Sequence, residues 1–380
     1  MRFRIVVGAW LGAIALAVAA RAADATGAGP AAAGTGDSKP AAGTDGTSNL
    51  PGGLALLPIL QDISLHGAFD FAYERRDYTD NPLDGHDVLK NYHHFLFVDR
   101  HAKDDPFFLT AEVVDLTFYE IGVREELGFA PAVATLKAGK ILVPFGPDPL
   151  FHHAYGGLTG FDQEILPTVW AELGGTLGLV SQLGDLTIAN DLYGVQGYAV
   201  DATDAVVDLT SDLSSSDAVR FGVGNRVRVG WGPVSGWYSI YVNNMGFGQR
   251  LVMQAVDVTL WRPDWPVLEN LAVAVGAMRA DVIEKSSAHN YYHFGDYVQV
   301  RYYATDWLYL QYRGGFRSYD NRDGFYFDDE RKDANDTSAH SVSIVALHRG
   351  ATVGLSHYWR LEEADEQAND FLRLELRYDF

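Results

Sequence analysis

The sequence predicts an all-β fold: a transmembrane antiparallel β-barrel of about sixteen strands, with long extracellular loops and short periplasmic turns. The first of three supporting observations is the closing run LRLELRYDF, residues 372–380, in which apolar and charged residues strictly alternate. Such alternation marks a strand with one face in an apolar medium and the other in a polar one. The other two observations are the lengths of the connections and an export-type N-terminus.

The connections alternate between short and long along the chain. Short turns are predicted at 101–105, 183–185, 232–234, 263–266, 305–306 and 349–350, and long loops at 77–87, 146–167, 201–217, 282–290 and 321–336. The alternation requires residues 107–124 to form two strands joined tightly near Val114 and Asp115. A soluble sandwich has no reason to keep its short turns at one end, so the pattern favours a membrane barrel.

The N-terminus predicts export. Arg2 and Arg4 precede an apolar stretch, and the small residues Ala20 and Ala22 form a cleavage site, so residues 1–22 are predicted to be a signal peptide. Residues 23–60 are a low-complexity flexible leader of mostly small and polar residues, which cannot bury a core. The barrel is then expected over residues 61–380.

Composition excludes several function classes. The formal net charge of −21 argues against nucleic acid as a partner, and the chain contains no cysteine. No phosphate-binding glycine loop, metal-ligand spacing or nucleophile elbow is present, which predicts no cofactor, no metal and no enzymatic activity. Acidic residues concentrate in the predicted loops, where divalent cations could bridge them to anionic lipopolysaccharide of the bilayer. Trp231, Trp265 and Trp307 at the short turns are typical of an aromatic girdle.

A barrel of this size is wide enough to enclose an aqueous lumen, whose charges would set ion selectivity. Alternation predicts pore-lining positions at Lys140, Arg220, Arg226, Arg228, Asp257, Arg301, Arg313, Arg317, Arg360, Arg373, Glu375 and Arg377. Candidates for a constriction within the loop 146–167 are His152, His153, Asp162 and Glu164. Two interpretations stay open: a basic wall that attracts anions, or acid–base pairs that neutralise each other.

The C-terminus carries a second signal. Phe380 is the last residue and Tyr378 stands two before it, in step with the leucines of the same face. The pattern resembles the C-terminal signature read by the outer-membrane assembly machinery, which is therefore an expected partner.

The stretches LKAGKILVPFG (136–146) and VWAELGGTLGL (169–179) resemble the phosphate-selective porin (porin O/P) family of Gram-negative outer membranes. The family pattern falls on Gly139, Pro144, Phe145 and Gly146. The resemblance implies a sixteen-stranded general or anion-preferring channel that forms a homotrimer. Family members that take phosphate carry lysine clusters at the constriction; this chain has few lysines, so phosphate selectivity is not implied.

Two functions follow as hypotheses. The first is an outer-membrane porin, a passive diffusion channel for small hydrophilic solutes or ions with a mild anion preference. The second is a barrel scaffold that sheathes a periplasmic partner such as a multihaem electron-transfer protein. The chain has no Cys-x-x-Cys-His haem site and could only be the sheath, for which more than sixteen strands are expected.

Overall fold

The computed structural model describes residues 62–77, 86–91, 94–101, 105–128, 130–146, 171–200, 213–215, 220–246, 248–265, 268–284, 290–319, 337–362 and 370–380. The predicted signal peptide (1–22), the whole of the predicted leader (23–60) and residue 61 lie outside these ranges. Both the signal peptide and the leader therefore stay predictions.

The described residues form nineteen strands, and every pairing between them is antiparallel. They are β1 (Ile63–Arg76), β2 (Asp87–Lys90), β3 (His94–His101), β4 (Phe107–Glu112), β5 (Tyr119–Leu127), β6 (Ala132–Leu142), β7 (Ala171–Leu183), β8 (Leu186–Val195), β9 (Tyr198–Val200), β10 (Leu213–Ser215), β11 (Gly222–Trp231), β12 (Val234–Gly246), β13 (Gln249–Trp261), β14 (Leu271–Glu284), β15 (Asn290–Thr305), β16 (Leu308–Tyr319), β17 (Thr337–His348), β18 (Ala351–Glu362) and β19 (Phe371–Asp379).

Seventeen of these strands form one sheet that closes on itself. From β3 to β8 and from β11 to β19 each strand pairs with the next along the chain, β8 pairs with β11, and β19 pairs with β1. Strands β2 and β3 pair with successive parts of β1 and occupy one position, so the barrel has sixteen strand positions. The predicted fold class is confirmed.

The two ends of the barrel differ in their connections. We call the end where β1 begins the turn end; its connections are 102–106, 128–131, 184–185, 232–233, 262–270, 306–307 and 349–350. These include all six predicted short turns and one, 128–131, that the sequence analysis did not predict. At the opposite loop end, β4 and β5 are joined through 113–118, which confirms the two strands expected within 107–124.

One connection at the loop end is far shorter than the predicted pattern requires. Only residues 247–248 separate β12 from β13. Gly246 and Gly248 have φ angles of 91° and 83°. Left-handed backbone of this kind costs glycine little, and it permits a hairpin too tight for most other residues.

A hydrogen-bonded carboxylate closes the first turn at the turn end. Asp105 Oδ2 accepts a hydrogen bond of 2.7 Å from Arg100 Nη2, and Oδ1 accepts one of 2.9 Å from the Phe107 backbone N–H. The Arg100 hydrogen bond, helped by that of Phe107, lowers the pKa of Asp105 from its usual value. The carboxylate therefore stays ionised there, where it fixes the start of β4.

The two faces of the wall have opposite chemistry. On β1, Leu65 and Phe71 are 61% and 51% exposed on the outer face, whereas Asp70 and Glu74 are 4% and 1% exposed on the inner face. The same holds on β19, where Leu374 and Leu376 face outward and Arg373 is buried inside. A soluble protein has the reverse arrangement, while a barrel between lipid and water requires this one.

The barrel closes through its last residue. Phe380 and Gly67 exchange two backbone hydrogen bonds, of 3.0 and 3.1 Å, beyond the β1–β19 ladder. The Phe380 ring stacks on Phe69 of β1 at 5.9 Å between centroids and lies 6.1 Å from the ring of Tyr378. Phe380 thus belongs to the closing seam.

Deletion of Phe380 is expected to reduce the amount of folded barrel in membrane fractions severalfold, because it removes two ladder hydrogen bonds and an aromatic contact at the seam. The amount of heat-modifiable protein on gels measures this. Phe380→Tyr, which keeps ring and backbone, is the matched control. Equal yields of the deletion and the control would show that the residue is dispensable.

Candidate functional site

The inner face of the barrel, here called the lumen face, gathers most of the predicted charged residues. The ladder pairs Arg301 of β15 with Gln311, and Arg313 and Arg317 of β16 with Gln299 and Gly295. All three arginines are at most 8% exposed, on the face opposite Tyr302, Leu310 and Phe316, which are exposed outside. We call Arg301, Arg313 and Arg317 the lumen arginine row.

Neighbouring side chains hold two members of this row in place. Arg301 Nε donates a 2.7 Å hydrogen bond to Gln311 Oε1, and its guanidinium carbon lies 5.3 Å from the centre of the Tyr309 ring. The guanidinium of Arg313 lies 5.4 Å from the Tyr297 ring centre. Contact with an aromatic face orients a guanidinium without neutralising its charge.

Other lumen arginines pair with carboxylates. Glu74 Oε1 accepts a hydrogen bond of 2.9 Å from Arg373 Nε. Its other oxygen, Oε2, lies 2.8 Å from Arg76 Nη2 and 3.7 Å from Lys90 Nζ. Glu74 and Arg373 are 1% and 3% exposed in their side chains. Arg377 pairs with Asp379 at 2.7 Å. The Glu74–Arg373 pair joins the first and last strands from the inside.

The chain after β6 turns into the lumen and is fixed to strands β11 and β12. Gly146 N–H donates to Ser239 Oγ of β12 at 2.9 Å, and Arg226 Nη1 of β11 donates to the Gly146 carbonyl oxygen at 3.1 Å. Arg226 is itself held by Asp191 of β8, with Nε and Nη2 at 2.9 and 2.7 Å from Oδ2. We call Gly146, Ser239, Arg226 and Asp191 the lumen clamp.

The clamp explains the glycine pattern of this segment. At Gly139 a Cβ would lie 2.2 Å from the Tyr119 carbonyl oxygen, so no side chain fits there. Gly146 has a φ of 72°, which favours glycine, and it turns the chain where both of its backbone groups are bonded. Between them, Pro144 and Phe145 are buried inside the barrel.

An apolar cluster fills part of the lumen beside the clamp. Its members are Ile141, Val143, Phe145, Tyr193, Val195, Tyr241, Met245, Leu251, Met253, Ala255, Met278, Ala280 and Val282. Inward residues of a barrel lumen are ordinarily polar, so these residues mark where the segment after β6 packs against β8, β12, β13 and β14. The cluster contains every methionine of the chain after Met1.

The remaining predicted pore-lining residues take separate positions. Arg228 lies 5.4 Å from the Trp237 ring centre, and Tyr297 Oη donates a 2.9 Å hydrogen bond to Asp257 Oδ1. The ladder puts Arg360 opposite buried Ala339, and Glu375 opposite buried Ala72, so both face the lumen. The guanidinium of Arg220 lies against Gly246 at the loop end.

Lys140 is the exception. Its ladder partners are Tyr119 of β5 and Leu173 of β7, which are 42% and 48% exposed on the outer face. The register therefore puts Lys140 on the outer face, contrary to the sequence prediction. Ala138 and Gly139, which precede it, give no sign of which face is apolar. Lys137 is the lumen-facing lysine and pairs with Glu120 at 2.8 Å.

Sequence reasoning missed several residues of the lumen. Ser239, Asp191 and Tyr297 each complete a contact described above, but one polar residue on an alternating strand has no signal of its own. The constriction candidates His152, His153, Asp162 and Glu164 lie outside the described residues.

Two other kinds of feature are absent from the described part of the chain. No group of three or more His, Cys, Asp or Glu side chains in it could hold a metal ion. No helix within it is long and apolar enough to span a membrane.

Solved outer-membrane channels share this architecture. The outer membrane channel DcaP of Acinetobacter baumannii superposes with a TM-score of 0.54 at 11% identity, over 84% of this chain and 97% of that one. An anion-selective porin from Comamonas acidovorans gives a TM-score of 0.51 at 11% identity, over 84% and 99%. OmpT of Vibrio cholerae in its trimer form gives 0.51 at 9% identity, over 84% and 99%.

These likenesses define the class of fold, a sixteen-stranded barrel of the porin type. No protein-family model matches the chain. No curated protein matches it either.

Proposed function

We propose that the protein is a porin of a Gram-negative outer membrane: a passive channel for small hydrophilic solutes with a mild preference for anions, and without catalytic activity. The lumen arginine row, inside a barrel with an apolar outer face, carries the proposal. An apolar belt suits lipid, and a polar interior suits water and solutes. DcaP, a channel, and the Comamonas porin, an anion-selective one, have the same fold.

The anion preference rests on where the lumen charges lie. Arg301, Arg313 and Arg317 occupy two adjacent strands and concentrate positive charge on one side. Arg226, Arg373 and Arg377 each bond to a carboxylate, as the alternative of mutual neutralisation requires. The expected preference is therefore small, and salt should screen it over a Debye length of about 10 Å at 0.1 M.

Three finer proposals go with this one. The Gly-x-x-x-x-Pro-Phe-Gly segment, whose residues have structural roles at the clamp, supports a relation to the phosphate-selective porins. A homotrimer is the proposed assembly, and the trimer form of OmpT supports it. Lipopolysaccharide and the outer-membrane assembly machinery are its proposed partners.

The sheath hypothesis is the weaker proposal. A sheath around a multihaem protein calls for more than sixteen strands, and part of this lumen is already filled by the apolar cluster. A channel needs neither a wider barrel nor a partner inside it.

Reversal potentials in planar bilayers under a salt gradient test the function. The wild-type channel is expected to favour anions at 0.1 M salt and to lose most of that preference near 1 M. Replacing Arg301, Arg313 and Arg317 by glutamine should shift the reversal potential towards cations. Arg250→Gln, on the outer face of β13, is the matched control and should leave it unchanged. A wild-type channel that prefers cations contradicts the proposal, and absence of conductance contradicts the channel itself.

Cysteine labelling on intact cells tests the orientation, because the native chain has no cysteine. Ser214→Cys in β10, at the loop end, is expected to react with an impermeant maleimide. Asp306→Cys, at the turn end, should react only after the outer membrane is opened. Labelling in the reverse order would show that the barrel is inserted with its turn end outside.

A further inference from the structure

A carboxylate lies on the outer face of β15, where the proposed channel meets lipid. Asp296 alternates there with Phe294 and Val298, and its ladder partners are Ala277 and Phe316. Asp296 Oδ1 accepts one hydrogen bond of 3.0 Å, from the Phe316 backbone N–H. Within the described residues it has no cationic partner. An ionisable group in a lipid-facing wall is costly and calls for a partner.

An imidazole lies in a similar position on β18. His357 is exposed on the outer face between Leu355 and Trp359, and its ring stacks on Trp359 at 5.6 Å between centroids. Within the described part of the chain, its side chain makes no hydrogen bond or ion pair. The wall therefore carries an acidic and a basic group, three strand positions apart.

The two groups lie at the same height. The ladder row through Asp296 crosses Phe316 and Ser338 and reaches β18 at Leu361. In a barrel with strands tilted by about 40°, a row shifts in height by about 3 Å per strand, and each residue along a strand rises about 2.5 Å. After three strands the position of equal height on β18 lies about four residues from Leu361.

The direction of this shift is set by the turns. The row that starts at Leu308, the first residue of β16, meets β18 at Val353, two residues beyond its first residue Ala351. Rows therefore climb towards the loop end from β16 to β18. The position level with Asp296 is accordingly four residues below Leu361, which is His357.

We propose that Asp296 of one copy of the chain pairs with His357 of the next copy, and that the outer face of β15 to β18 is the subunit interface of a threefold ring. Three of sixteen strand positions subtend about 68° around the barrel axis. In a ring of three, the two contact faces of each subunit are about 60° apart; in a ring of four they are about 90° apart, and in a twofold dimer they coincide.

The surface between the two groups is mostly apolar, apart from His340, whose Nδ1 lies 3.0 Å from Tyr312 Oη, and it suits a second copy. Phe316, Val342 and Ile344 are 38%, 47% and 50% exposed on this face. Pairing across the interface gives each carboxylate an imidazole partner that the described residues of its own chain do not provide. The inference rests on the proposed membrane channel and goes beyond its trimeric state by assigning the face and the pair.

Disulfide cross-linking tests the pairing. In the variant Asp296→Cys/His357→Cys, the two Cα atoms of one chain are separated by three strand spacings, about 14 Å, whereas a disulfide needs less than about 7 Å. Any cross-link must then join two copies. Oxidation is expected to give covalent trimers on denaturing, non-reducing gels, in at least ten times the yield of the control.

The control is Asn225→Cys/Val275→Cys. The ladder row from Asn225 of β11 runs through Ile240 and Gln254 to Arg279 of β14. Val275 lies four residues below Arg279, so this pair has the same strand spacing and the same height relation as Asp296 and His357. Cross-linking by Asp296→Cys alone would show a twofold contact and overturn the proposal. A double variant that conducts normally in bilayers but stays monomeric after oxidation would also overturn the proposal.

If the double variant does not fold, Val298→Cys/Leu355→Cys replaces it. Both residues lie on the same outward face, one step nearer the turn end on each strand, and no charge is changed. Covalent trimers of this variant on non-reducing gels would support the interface, and their absence from a conducting preparation would contradict it. Since conductance is measured on the same preparation, failure of the interface is distinguished from failure of the channel.

Discussion

Replacement of Glu74 by glutamine is expected to destabilise the barrel more than any other single change in the described lumen. The carboxylate accepts hydrogen bonds from both Arg76 and Arg373, and it is almost fully buried. Removing the negative charge breaks the buried pair with the Arg373 guanidinium, and removing one partner of a buried pair costs about 3–5 kcal/mol. The loss falls on the seam between β1 and β19, so closure itself should suffer.

The temperature at which the folded band on gels converts to the unfolded one measures this effect. Asp306→Asn is the matched control, because it removes the acid of an ion pair with Arg262 that is exposed at the turn end. Exposed pairs contribute about 0–1 kcal/mol. If both variants convert at the same temperature, the network around Glu74 does not hold the seam.

The second large effect is expected from the lumen clamp. Arg226→Gln removes the charged donor that holds the Gly146 carbonyl group, and a hydrogen bond to a charged group contributes about 1.5–3 kcal/mol. The population in which the segment after β6 leaves the wall should therefore rise about tenfold or more. Single-channel recordings should show added current fluctuations and a larger mean conductance.

Arg228→Gln separates the clamp from simple loss of charge. The substitution removes a lumen arginine from the same strand. The Arg228 guanidinium contacts Trp237 and Ser235, which do not belong to the clamp. Ser239→Ala should reproduce part of the Arg226 effect without altering charge. Equal conductance changes in the two arginine variants would mean that only charge matters and that the clamp does not position the segment.

The fold was largely predictable because lipid and water impose opposite demands on alternate residues. Along β19, and along β1 except at Gly67 and Arg75, every second residue is large and apolar, so both the register and the outward face could be predicted from the sequence. The turn 128–131 was missed because β5 and β6 are rich in small or charged residues and their alternation is weak. Because this alternation is weak, the sequence analysis also predicted the wrong face for Lys140.

The pairing of lumen charges could not be predicted. Alternation shows that Arg226 points inward, but its contact with Gly146 depends on a chain segment that crosses the lumen from β6. Likewise, Arg373 and Glu74 are 299 residues apart in sequence and meet only because the barrel closes. Single-strand patterns contain no information on which inward residues become neighbours around the circumference.

The wall also differs in height around its circumference. Strand β4 has 6 residues and β15 has 16. At a tilt of about 40° they rise about 15 Å and 40 Å, while the apolar layer of an outer membrane is about 25 Å thick. In the proposed membrane setting, lipid tails would have to shorten or disorder beside β4, or the barrel would have to tilt. A wall longer than the bilayer is accommodated by tilting, so thinner membranes would incline this barrel further.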